Sequence, residues 1–171
     1  MFICAYSALS HLRFTKGKSE LGNYKFRGAR ALVILHEKHM RQCLDVWKEA
    51  KAANVKLPET EDPSYASLEH LLYHILRAAR GYMVWMCKQL ELPDPEIEPA
   101  PDIATIEAEA DSYLEHVLEC WRLPLVNVPE EKFEPQTYVT GWGTPYCIDA
   151  MLEHAVMHPI RHEFQLRELL E

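Results

Sequence analysis

The stretch Glu91-Leu92-Pro93-Asp94-Pro95-Glu96-Ile97-Glu98-Pro99-Ala100-Pro101 decides how this chain folds. Four prolines in eleven residues favour an extended, polyproline-type path. At about 3.1 Å per residue that path reaches about 34 Å, close to the length of a 25-residue helix at about 1.5 Å per residue. A connection of that reach lets the helices on either side of it run parallel. Working outward, four helical stretches are predicted: from about Tyr24 to Ala53, from near Asp62-Pro63-Ser64 to about Leu90, from about Asp102 to Trp121, and from about Tyr146 to Leu170. Pro63 suits a first helical turn. The expectation is an all-α single domain over residues 23–171, preceded by an N-terminal extension of uncertain structure at residues 1–22. The long connection from Leu123 to Thr144 holds Gly141-Trp142-Gly143-Thr144-Pro145. Connections of that length in a compact domain are often functional or cap a site.

The chain has 171 residues, of which 48% are hydrophobic and 26% charged. That is enough for one domain with a real core, and too little to make two domains the natural choice. A formal charge of −8 argues against nucleic-acid binding, which needs clustered Lys and Arg. Five scattered cysteines without a CxxC pair argue for a reducing cytoplasm rather than a disulfide framework. The apolar opening Met1 to Leu9 is shorter than the ~20 residues that span a bilayer, so no membrane association is expected.

The chemistry concentrates in Met157-His158-Pro159-Ile160-Arg161-His162-Glu163-Phe164-Gln165. Two histidines four apart on a helix leave the same face. With Ile148 set at zero and about 100° per residue, the core stripe of this helix centres near 350°. His162 falls within it at about 320°, His158 on its shoulder at about 280°, and His154 near its boundary at about 240°. His158 and His162 are therefore the inward pair, and His154 flanks them. On the second helix, with Leu68 at zero, His74 lies on the shoulder of the stripe at about 240°, and His70 further out at about 200°. On the first helix, His36 and His39 share a face with Leu32, Cys43, Val46 and Trp47. If the first two helices are antiparallel, His39 and His36 point toward the layer of His74. A lone inward histidine is ordinarily a satisfied core residue. An i, i+4 pair on an apolar face needs compensation for its burial, and a metal shared with another helix supplies it. Pro159, directly after His158, either tilts the two rings or kinks the helix.

These residues resemble the DinB/YfiT-like superfamily of metal-dependent enzymes. Its last helix commonly carries H-x-x-x-H-x-x-Q, matched here by His158, His162 and Gln165, with His154 one turn earlier. Its second helix offers a histidine in an apolar context, matched by Leu71-Leu72-Tyr73-His74-Ile75-Leu76. The resemblance covers roughly residues 24 to 170. This chain departs from it at Pro159, where an acidic residue is frequent, and at Phe164, where a small one is. The resemblance implies a four-helix bundle in up-down-down-up order with a long crossover between helices two and three. It also implies a metal triad of His74, His158 and His162.

A three-histidine site leaves coordination positions open, as a catalytic site requires. The expected function is a divalent-metal-dependent enzyme of hydrolase or thiol-dependent transferase type. Zn²⁺ or Ni²⁺ suits an imidazole site best. The ion would lower the pKa of a water or thiol, and His39 or His36 would serve as proton-transfer partner. The expected substrate is a small molecule, with a low-molecular-weight thiol among the options and a homodimer among the possible assemblies. The alternatives are a non-catalytic helical module that binds metal or a small ligand, and a bundle that has lost its metal.

Overall fold

The computed structural model describes residues 21–171. The extension expected at 1–22 therefore lies outside the described residues, except for Leu21 and Gly22. Among the described residues the chain is mostly helical: α1 Arg27–Ala52, α2 Leu68–Gln89, α3 Ile106–Trp121 and α4 Ile148–Leu170. All four contribute to one buried cluster that includes Met40, Trp47, Leu72, Met83, Leu118, Trp121, Met151 and Leu152. No described helix is long and apolar enough to cross a membrane.

The second helix starts later than expected. Asp62 caps a short 3-10 turn at Pro63–Tyr65, its carboxylate accepting from the Ser64 amide at 2.9 Å. Ser67 then adopts an extended backbone (φ −160°) and accepts from the His70 amide, so α2 begins at Leu68. Pro63 does occupy a first helical turn, but of a separate turn. The third helix likewise begins at Ile106 and not Asp102, after a turn closed by the Thr105 amide on the Asp102 carbonyl. At α4 the reason is a strand. Pro145–Tyr146 pairs antiparallel with Tyr138–Val139, and Cys147 caps the helix that follows. This hairpin, β1–β2, turns at Gly141-Trp142-Gly143. Gly143 has φ +84°, a conformation that favours glycine. Pro159 is buried inside α4, which continues through it.

Two indole N–H groups fasten the core to backbone. Trp47 donates to the Leu68 carbonyl at 2.7 Å, and Trp121 donates to the Ala79 carbonyl at 3.1 Å. Ion pairs give the register of α1 on α3 and the residue that follows it: Lys51–Glu107, Lys48–Asp111, Arg41–Glu115 and Glu37–Arg122. Exposed pairs of this kind each contribute only about 0–1 kcal/mol, so they report register more than they supply stability. The linker after α2 adopts no regular structure from Leu92 to Asp102. Ile97 is buried, with its carbonyl taking a hydrogen bond from Arg80. Glu96 meets Cys120, while Glu98 meets His116 and Tyr113. The linker thus lies extended against α2 and α3 rather than folding into a tight turn.

Candidate metal centre

Each imidazole of the centre comes from an ordinary amphipathic helix. On α4, Met151, Leu152, Ala155 and Leu166 are buried, and His158 and His162 are buried with them, at 4% and 2% exposure. On α2, His74 sits half-buried at the edge of the stripe formed by Leu71, Leu72 and Ile75. Packing α2 on α4 brings the three rings together. Their centroids lie 4.8 Å apart for His74–His158, 5.2 Å for His74–His162 and 4.6 Å for His158–His162. One ring nitrogen from each lies within 4.8 Å of the other two.

The outer nitrogens of His162 and His74 are held by neighbours. His162 Nδ1 is 3.0 Å from Gln165 Oε1, which also accepts from the Tyr65 hydroxyl at 2.9 Å. An amide oxygen only accepts, so His162 carries its proton on Nδ1 and presents a lone pair at Nε2. His74 Nδ1 is 3.3 Å from Ser64 Oγ, and Ser64 in turn is hydrogen-bonded to Asp62. That arrangement directs His74 Nε2 inward, 2.9 Å from His158 Nε2. His162 Nε2 is buried and has no hydrogen-bond partner among the described residues. An orphaned acceptor beside two further inward nitrogens is costly unless a cation or proton sits between them.

The electrostatics agree with the ligand form. Burial, then the neighbouring imidazoles, push His158 down to about 2. Burial and His74 push His162 down to about 4, with the Gln165 hydrogen bond opposing. Burial lowers His74 as well. In all three the shift favours the neutral form that metal ligation requires. The donor set fits a divalent ion: imidazole nitrogens only, with the tautomers of His74 and His162 oriented by outer partners.

The other histidines do other things. His70 bonds Ser67 Oγ at 2.9 Å at the start of α2. His154 lies outside the cluster, its ring 6.3 Å from that of His158 and stacked on Trp142 at 5.6 Å. Tyr82 and Tyr146 make T-shaped contacts with it. His36 stacks on Trp121 with ring centroids 3.7 Å apart, both its nitrogens buried and unpartnered among the described residues. Burial holds it down to about 3, so it stays neutral where a proton carrier must exchange. His39 is partly buried with an unpartnered Nδ1. Ser64 and Tyr65 escaped the sequence reading because they lie on a turn that no helical wheel covers. The only hint was the Asp-Pro-Ser-Tyr run ahead of α2.

Compared with known proteins, the chain matches no family model, no curated protein and no solved structure.

Proposed function

We propose that this chain is a divalent-metal-dependent enzyme of the DinB/YfiT-like kind, a hydrolase or thiol-dependent transferase, with His74, His158 and His162 as metal ligands. The observation that carries the reading is the orphaned Nε2 of His162, buried beside the inward nitrogens of His74 and His158. Zn²⁺ or Ni²⁺ is the preferred ion for three imidazoles. Such an ion supplies Lewis acidity at open coordination positions, which makes a water or thiol a better nucleophile near neutral pH. The chain's own residues orient and hold. Gln165 and Tyr65 fix the His162 tautomer, Ser64 and Asp62 fix that of His74, and burial keeps the ligands neutral. Proton transfer falls to His39 rather than His36, whose basicity is lost to burial.

The same proposal includes an up-down-down-up four-helix bundle. Its support is the order of contacts. Positions fall on α3 as they rise on α1, from Arg41–Glu115 to Lys51–Glu107. They also fall on α2 as they rise on α4, from Tyr82–His154 to His74–His162. The linker meets α3 in descending order, Glu96 at Cys120 and Glu98 at His116, as a crossover between parallel helices would.

One observation favours a second reading. The 2.9 Å contact of His74 with His158 lets one proton join two imidazoles, as in a bundle that keeps its histidines without an ion. Elemental analysis of protein purified without a His-tag separates the two. Stoichiometric zinc or nickel supports the enzyme reading, and metal-free protein that takes up neither ion overturns it. Turnover of an activated ester, or of a thiol with an electrophile, then decides between reaction types.

A further inference from the structure

The outward face of α4 carries a pattern that the core does not use. With Ile148 at zero and about 100° per residue, Ala150, Glu153, Met157, Arg161, Phe164 and Glu168 fall between about 140° and 220°, across the helix from the core stripe. Met157 and Phe164 are 56% and 61% exposed, and Glu153, Arg161 and Glu168 are exposed beside them. Single exposed hydrophobes are ordinary on a protein surface. Two of them seven residues apart on a helix lie on one line, two turns apart.

A third joins them from the hairpin. Trp142, 53% exposed, meets Tyr146 at 5.8 Å and stacks on His154 at 5.6 Å, centroid to centroid. Tyr146 stands just ahead of α4, and His154 lies one turn after Ala150. The indole therefore borders the first turns of α4, where Ala150 is the smallest side chain of the outward face.

We propose that α4 packs antiparallel on α4 of a second copy of this chain, about a twofold axis at Met157. In such a pair, residue 157 + n of one copy meets residue 157 − n of the other. Met157 then lies on the partner's Met157, Arg161 faces the partner's Glu153, and Phe164 sits over the partner's Ala150, bordered by the partner's Trp142. Opposite charges meet, and the bulkiest side chain of the face meets the smallest. Each contact is made twice, because a twofold interface is self-complementary.

Charge selects this register over its neighbours. An axis between positions 160 and 161 would set Met157 on Phe164, but Glu153 against the partner's Glu168. A parallel pair would set Glu153 on the partner's Glu153 and Arg161 on the partner's Arg161. Like charges facing each other disfavour both. The seam from 150 to 164 runs for about 21 Å, several turns over which side-chain ridges of one helix can enter the grooves of the other. The inference rests on no ion, since His158 and His162 are buried on the core side of the helix.

Sedimentation equilibrium of the untagged full chain, over a wide concentration range, tests the proposal, with circular dichroism melts to confirm that each variant folds. The wild type is expected to be a dimer in reversible equilibrium with monomer. Arg161→Glu and Glu153→Arg should each weaken it by about a hundredfold, because each turns two attractive pairs repulsive. The double variant Glu153→Arg, Arg161→Glu should recover most of the wild-type affinity, since the pairs are re-formed with their signs exchanged. Phe164→Ala should cost at least about tenfold, as a buried aromatic anchor does. Trp142→Ala should add little to that loss, because the two side chains meet only across the seam. A chain that stays monomeric at every concentration overturns the proposal, whether the face then proves bare, covered by residues 1–20 or kept for an unrelated protein. So does a dimer indifferent to Arg161→Glu, or a folded double variant no better than the single ones. Should the charge variants fail to fold, Met157→Glu decides: it sets two carboxylates on the axis and is expected to leave folded monomer, and a dimer of wild-type affinity in its place overturns the register.

Discussion

Two regions of this molecule bury histidine, and they do so in opposite ways. His36 lies flat on Trp121 in the core, with neither nitrogen partnered among the described residues. His158 and His162 are as deeply buried, but their rings converge on one another and on His74, and Gln165 and Ser64 hold the outer nitrogens of His162 and His74. Burial and an orphaned nitrogen are common to both regions. Convergence and outer orientation belong to one. The comparison teaches that a buried histidine becomes a candidate ligand only when its free lone pair is aimed at another.

The largest effect that would break this contrast is in metal affinity. His74→Ala, His158→Ala and His162→Ala are each expected to weaken zinc binding by more than the ~10–100-fold typical of outer-shell changes. His36→Phe is expected to leave it unchanged. Calorimetric zinc titration of the four purified variants checks this, and wild-type affinity in His162→Ala would erase the distinction between the two regions.

The outer partners come next. Gln165→Leu removes the acceptor that fixes the His162 tautomer, and Ser64→Ala removes the partner of His74. Each is expected to cost about 10–100-fold in zinc affinity, with Tyr65→Phe costing less because it acts through Gln165. The same titration reads it. Ser64→Thr should recover most of the loss, since the hydroxyl is retained.

Acid stability sharpens the comparison from the side of the proton. His36, His158 and His162 are each held below the ordinary value of 6.5, at about 3, 2 and 4. Below pH 6.5 the unfolded chain takes up protons that the folded chain refuses, so the stability these groups contribute is complete above 6.5 and is lost as pH falls toward their folded values. The melting temperature of metal-free protein should therefore fall progressively below about pH 6.5. His36→Phe should flatten that fall without touching zinc binding, because an apolar ring replaces an unpartnered polar one. Zinc should raise the melting temperature at pH 7, and a chelator should reverse the gain, because an ion that binds only the folded chain stabilises it. Thermal melts from pH 4 to pH 8, with and without chelator, test both statements.

The smallest expected effect is at His154. Its ring belongs to the Trp142–Tyr82–Tyr146 cluster and lies 6.3 Å from that of His158. His154→Ala should keep most of the zinc affinity. A loss as large as that of His162→Ala would enlarge the ligand set.

Much of this was legible in the chain because helical periodicity is a local property. The four helices follow from apolar spacing and from the prolines that stop them. The inward turn of His158 and His162 follows from their place on the α4 stripe. Boundaries were less legible where side chains cap rather than pack. Ser67 and Cys147 delay α2 and α4 through hydrogen bonds to backbone amides, and the short β1–β2 hairpin carries too little pattern to announce itself. The resemblance implied the trio of His74, His158 and His162, and tertiary structure alone decided how they meet. His74 and His158 stand 84 positions apart in the chain, and no period links them. Their 2.9 Å approach, the reach of Ser64 and Tyr65 from a separate turn, and the removal of His36 to the face of Trp121 all depend on how whole helices pack. A sequence dictates which face of a helix is apolar. Which nitrogens meet across two such faces is set only when the helices settle on each other.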